Sequence, residues 1–223
     1  MKQLTINTNR ITMAKRIPNF FWVALSISAL ITWFFFQDVF SGMGAPEQEY
    51  TSFQEDPISL SIDLAGEWQF QVGDQDEWKE KELDDSSWDR IMVPGYWERQ
   101  GYEDYNGFAW YRKSILIEES LSEDKLIVLL GKIDDLDQLY INGQLVGSVG
   151  LTDDSRRIQG NEWQELRGYY IPDGVIAYGE ENVLAVRVYD GRVDGGIHDG
   201  PVGIITQENY ISYWHNRRNK QND

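Results

Sequence analysis

KLIVLLGKIDDLDQLYINGQLVGSVG, residues 125–150, is the stretch whose reading decides the fold. Lys125–Leu130 carries a continuous apolar run, as expected for a strand covered on both faces. Gln138–Ile141 and Gln144–Val149 are short β-rich runs joined by Asn142-Gly143. Asn-Gly between such runs predicts a tight hairpin, because a type I′ turn needs positive φ at both central residues. Asp134, Asp135 and Asp137 read as a loop between the first strand and the hairpin. Ile127, Leu129, Tyr140 and Val146 need cover from elsewhere, which predicts further strands on both sides.

Those strands are legible. Ser59–Asp63 alternates as a half-buried strand, and Glu67–Val72 places Trp68, Phe70 and Val72 on one face. Gly73–Asp89 is an acidic loop with Trp78 and Trp88 as anchors, and Arg90–Val93 ends at the turn pair Pro94-Gly95. Tyr96–Phe108 is a loop rich in aromatic and amide side chains, followed by the strand Ala109–Ile117. Thr152–Asn161 is polar and irregular. Leu166–Ile171 and Asn182–Tyr189 are strands, a glycine-rich loop runs from Gly191 to Gly200, and Val202–Thr206 is the last strand. The tail past Trp214 reads as disordered. About ten short strands spaced by turns, with no long helical period after residue 37, predict an all-β fold of two packed antiparallel sheets, a sandwich or jelly roll.

The 223 residues contain no cysteine, which excludes a disulfide framework, a thiol nucleophile and a thiolate zinc site. The net charge of −17 is uneven: residues 45–223 carry 16 basic and 36 acidic side chains, a net −20. Such a surface repels phosphate backbones, so nucleic acid is not an expected partner. Phe20–Phe36 is uncharged and apolar, and with Ile17 to Asn19 it approaches the roughly 20 residues that cross a bilayer. The nearby basic residues Lys2, Arg10, Lys15 and Arg16 all precede it, which predicts a cytoplasmic amino end and an exported remainder, periplasmic or extracellular. The resulting organisation is a basic cytoplasmic segment at 1–17, a transmembrane anchor at 18–37, a linker at 38–57, a folded domain at 58–207 and a polar tail at 208–223. A cleaved signal peptide is the alternative to the anchor.

Five motifs stand in a characteristic order: LAGEWQF at Leu64–Phe70, DSSWDRIMVPGYW at Asp85–Trp97, WYRKSI at Trp110–Ile115, LYINGQLVG at Leu139–Gly147 and NVLAVRV at Asn182–Val188. Together they resemble the amino-terminal sugar-binding domain of glycoside hydrolase family 2, the β-galactosidase and β-glucuronidase group. The resemblance implies a galactose-binding-like jelly-roll β-sandwich over 58–207. It does not imply catalysis. The family's two catalytic glutamates lie in a following (β/α)₈ barrel of about 200–250 residues, for which this chain has no room.

Each candidate site has an ordinary structural role beside its functional one. Asp134, Asp135 and Asp137 could mimic a catalytic carboxylate pair or hold a structural calcium, but the oxygen-ligand pattern of a calcium loop is missing, and a solvated acidic loop is the favoured reading. No cofactor is otherwise expected. A triad through His198 lacks the G-x-S-x-G elbow, and Gly191–Gly196 lacks the helix that would make it a phosphate loop. Sugars stack on flat aromatic rings and exchange hydrogen bonds with amides and carboxylates. Trp97, Tyr102, Tyr105 and Asn106 in one loop, with Asp190, Asp194 and His198 in another, are therefore the candidate carbohydrate contacts. In β-galactosidases of the resembled family this domain lends an asparagine and an aspartate to the barrel's rim. Asn106 and Asp194 are the nearest matches here, with Asp190 as the alternative to Asp194.

These readings predict a non-catalytic, membrane-anchored carbohydrate-binding or adaptor module. Two others stand beside it: the amino-terminal piece or split subunit of a family 2 glycosidase, and a domain that binds an envelope protein or supports a sensor.

Overall fold

The structure is a computed structural model that describes residues 58–152, 156–157 and 160–220. The expected cytoplasmic segment, anchor and linker lie outside the described residues. Among the described residues no helix is long and apolar enough to cross a membrane.

Among the described residues ten strands run in chain order: β1 (Ile62–Asp63), β2 (Gly66–Val72), β3 (Asp89–Val93), β4 (Gly107–Leu116), β5 (Leu126–Asp134), β6 (Leu136–Ile141), β7 (Gln144–Val149), β8 (Leu166–Tyr170), β9 (Glu181–Asp190) and β10 (Gly196–Thr206). A helix, α1 (Gln207–Lys220), follows. The strands form two antiparallel sheets, ordered β1-β10-β5-β8 and β3-β2-β4-β9-β6-β7. This is the expected all-β sandwich.

Trp68, Phe70, Tyr111, Val128, Leu139 and Val186 belong to one buried cluster between the sheets. The continuous apolar run of β5 has a direct cause. Val128 and Leu130 join that central cluster, while Ile127 and Leu129 pack with Ile205 under Ile58, Leu60 and Tyr210. Each such side chain contributes about 1.5–3 kcal/mol by leaving water. The six-stranded sheet is also covered on its outer side, where Trp110, Tyr140 and Ala185 pack with Trp78 and Trp88. The loop tryptophans are anchors, as their isolation in an acidic stretch suggested. At the predicted hairpin Ile141 pairs with Gln144, and Asn142 and Gly143 take φ of 49° and 80°.

The structure departs from the sequence reading at three places. Asp134, Asp135 and Asp137 do not form a loop: β5 runs through Asp134 and β6 starts at Leu136, so the chain passes from one sheet to the other across Asp135. Asp137 is fully buried, accepting hydrogen bonds from Arg167 Nε (2.7 Å) and the Tyr169 hydroxyl (2.5 Å). It is therefore neither solvated nor free to join Asp134 and Asp135 around an ion. Secondly, the glycine-rich loop is shorter than expected, because β10 begins at Gly196 and pairs with Asp134. Finally, the expected disordered tail is helical to Lys220. Thr206 Oγ1 accepts the Asn209 amide (3.3 Å) as a cap, Tyr210 packs on the outer face of β5, and Arg217 donates to the Tyr213 hydroxyl (3.0 Å).

Candidate functional site

Three connections meet at one end of the sandwich: the β3–β4 loop, the crossing at Asp135 and the β9–β10 loop. Their contacts are mutual. The Gly95 amide donates to Ile197 O (2.7 Å), Trp97 N to Gly195 O (3.1 Å) and Asp135 N to Tyr189 O (3.0 Å). Gly195 is required by close approach: a Cβ there would lie 2.2 Å from Trp97 Cζ2 and 2.9 Å from Asp190 Cβ. No side chain other than hydrogen fits between that indole and that aspartate.

This packing concentrates carboxylates. Asp134, Asp135 and Asp190 each present one carboxylate oxygen within 4.8 Å of the others. One oxygen of Asp135 accepts the Gly191 amide (3.1 Å), and Asp190 Oδ1 accepts the Arg192 amide (2.9 Å). Asp190 is fully buried, yet its Oδ2 has no hydrogen-bond partner. Glu98 stands alongside: its Oε1 accepts the Gly195 amide (3.0 Å), and its Oε2 is buried without a partner. None of these acids, nor Asp194, makes an ion pair with a described lysine or arginine. Their protonation reflects this. Burial, then the Asp135 carboxyl hydrogen-bonded beside it, pushes Asp134 up to about 8. Burial lifts Asp190 to about 6 against the Arg192 amide, with Asp135, Glu98 and Asp194 adding repulsion. Glu98 is raised by burial as well.

An aromatic stack borders the acids. The Tyr96 and His198 rings are parallel within 4° at 4.9 Å, and the Arg99 guanidinium lies 5.0 Å from the Tyr96 ring centre. His198 Nε2 is 3.1 Å from Trp163 O, and burial holds the imidazole below its usual range.

The seven residues singled out from sequence separate here. Asp190, Asp194 and His198 are at this end, and Asn106 is exposed there, next to Gly107, which pairs with Asp190. The aromatic members of the first loop are built into the fold. Trp97 is 0% exposed, donates from Nε1 to Tyr105 O (3.2 Å) and packs against Phe70 and Tyr105. Tyr102 donates its hydroxyl to Asp89 Oδ2 (2.5 Å), and Tyr105 donates to Phe108 O (2.5 Å). Sequence reading did not place Asp134, Asp135, Glu98 or Tyr96 in the site. The Asp134-Asp135 pair was visible, but Glu98 is one acid among many and nothing in its neighbours marks it. Two clefts lie elsewhere. One of about 410 Å³ is lined by Asp74, Asp76, Lys79, Trp110, Tyr140 and Arg187, and one of about 310 Å³ lies by Lys125 and Tyr178 at the opposite end.

No protein-family model and no curated protein matches the chain. Solved structures do. A calcium-binding mutant of Bacteroides uniformis β-glucuronidase 2 aligns at 24% identity and a TM-score of 0.50, over 61% of this chain and 17% of that one. A glycosyl hydrolase family 2 member from Bacteroides cellulosilyticus aligns at 23% identity and 0.49, over 61% and 19%. The β-D-glucuronidase of Dictyoglomus thermophilum aligns at 19% and 0.45, over 62% and 21%. The chain thus spans about a fifth or less of the structures it matches. At these identities the likeness is one of fold, and it agrees with the fold implied by the five motifs.

Proposed function

We propose that this chain is a carbohydrate-binding module of the galactose-binding-like, jelly-roll type, binding sugar at the carboxylate-rich end of its sandwich. The observation that carries the reading is Glu98 Oε2, a buried acceptor without a partner, beside Asp194 and the Tyr96–His198 stack. Carboxylates accept hydrogen bonds from hydroxyls, and a ring stack offers an edge for a pyranose to rest on. The charge narrows the ligand. With Asp135, Asp190, Glu98 and Asp194 converging and no ion pair to a described lysine or arginine, the cation-free site repels a uronic acid carboxylate, so the sugar is neutral or amino-substituted.

A glycan array probed with the full chain in mild detergent tests this. Binding to neutral glycans that weakens at least tenfold in both Asp194→Asn and Glu98→Gln, with circular dichroism unchanged, supports the site. Preference for glucuronides, or unchanged binding in both variants, overturns it. The apolar run at 20–36 and the basic residues before it support a module anchored in a membrane with the domain outside the cytoplasm. Digestion of the domain by external protease in intact cells, with the amino end protected, is the expected result.

A second reading has its own support: Asn106 and Asp194 fall at one end, as in a domain that completes the rim of a partner's glycosidase site. Co-expression with a barrel-encoding neighbouring reading frame that yields hydrolysis, lost in Asn106→Ala, would favour it over the free module.

A further inference from the structure

We infer that Asp134, Asp135 and Asp190 form a binding site for one divalent cation of the calcium class, independently of whether sugar binds. Clustered acids alone are common in so acidic a chain. What separates this cluster is Asp190, which is completely buried, aligned by the Arg192 amide on Oδ1, and left with no partner for Oδ2. An ionised carboxylate kept from water with half its acceptor capacity unused is costly unless something positive meets it. No described lysine or arginine pairs with it.

The donor set selects the ion. All three ligands are carboxylate oxygens, with no histidine or thiol among them, which suits a hard cation and not zinc or copper. Coordination habit selects further: Ca²⁺ takes oxygen ligands in flexible geometry, whereas Mg²⁺ demands a near-ideal octahedron and gives up its water reluctantly. The three oxygens lie within 4.8 Å of one another, close enough to converge on one ion with small adjustments of the side chains. The ligands are also held from behind. Asp135 and Asp190 each give one oxygen to a backbone amide of the β9–β10 loop, at Gly191 and Arg192. An ion here would tie the crossing between the sheets to that loop.

Calorimetric titration of CaCl₂ into the chelator-treated full chain, in detergent and 150 mM NaCl, tests the site without any sugar. The expected result is one saturable site per chain with Kd of about 10⁻⁶–10⁻³ M, weaker binding of Mg²⁺, and a calcium-dependent rise in Tm. Asp190→Asn and Asp134→Asn should each weaken binding at least tenfold, while Asp84→Asn, an exposed acid outside the cluster, should leave it unchanged. Because Asp134 is partly exposed, its variant remains informative if Asp190→Asn folds poorly. Absence of a saturable site at 10 mM CaCl₂ overturns the inference, since the three carboxyls would then share protons instead. Equal binding by wild type and both variants also overturns it, placing the ion elsewhere on the acidic surface.

Discussion

Asp137 and Asp190 are both completely buried aspartates, on β6 and β9, and they have opposite surroundings. Asp137 meets a guanidinium whose remaining donors are also occupied: Arg167 reaches the carbonyls of Ile133 (3.0 Å), Asp135 (2.7 Å), Glu165 (2.7 Å) and Glu162. The Tyr169 hydroxyl takes its second oxygen. Asp190 has one amide, no cation and one oxygen without a partner, and its charged neighbours are Asp135, Glu98 and Asp194. The difference teaches that burial of a charge is not by itself a mark of function. A buried acid whose every acceptor is filled belongs to the framework, and one left incomplete among like charges belongs to a site.

Substitution at the first pair should give the largest effect. Arg167→Ala strands the Asp137 carboxylate and four carbonyls, and a broken buried ion pair costs about 3–5 kcal/mol. Urea denaturation should show that loss for Arg167→Ala and a similar one for Asp137→Ala. The double variant should lose less than the two together, because neither charge is then stranded. Additive losses would mean the pair is not coupled. Gly195→Ala comes next. Its Cβ would press on Trp97, and overpacking of this kind costs about 1–3 kcal/mol. An unchanged denaturation midpoint would show that the loop yields, and that Gly195 does not fix the site.

The legible and illegible parts of the chain divide along the same line. Strand positions, the Asn142-Gly143 hairpin and the both-sided burial of β5 follow from local periodicity and turn chemistry, and they were readable. Asp137 was misread because its neighbours Asp134 and Asp135 made it look like part of a solvated loop. Its partner Arg167 is 30 residues away, and pairing at that distance leaves no local trace. Trp97 reads as a sugar contact because it stands in an aromatic loop, whereas its burial against Phe70 and Tyr105 is visible only in the fold. Asp190, Asp194 and His198 were found because a glycine-rich connection bearing acids and a histidine stood out. Glu98 was not, since its meaning depends on Gly195 across the fold. Helix α1 escapes the sequence reading because its only helical stripe, Tyr210, Tyr213 and Trp214, spans barely more than one turn before a polar run begins.

Asp190→Asn sharpens the comparison from the other side. The amide keeps an oxygen for the Arg192 N–H and removes a charge that nothing neutralises. In chelator at neutral pH its stability should match wild type within about 0.5 kcal/mol or exceed it, unlike the loss at Asp137. A loss of about 3 kcal/mol or more would mean that Asp190 is a framework residue with an unrecognised partner.

The smallest effect is expected from His198, the one titrating base beside the acids. Burial among Tyr96, Trp163 and the β10 backbone lowers its affinity for protons relative to the unfolded chain, where histidine titrates near about 6.5. The unfolded state therefore binds the proton first. The stability this imidazole contributes is complete above about pH 6.5 and is lost as pH falls through its lower folded value. Asp134 and Asp190 titrate over the same range, so only a difference isolates it. Tm of wild type minus Tm of His198→Gln, followed from pH 8 to pH 5, should be constant above about 6.5 and fall on the acid side. A difference that instead rose toward acid would mean that Asp199 and the neighbouring acids outweigh burial. His198 would then be a cation in the folded protein and part of the site's neutralisation.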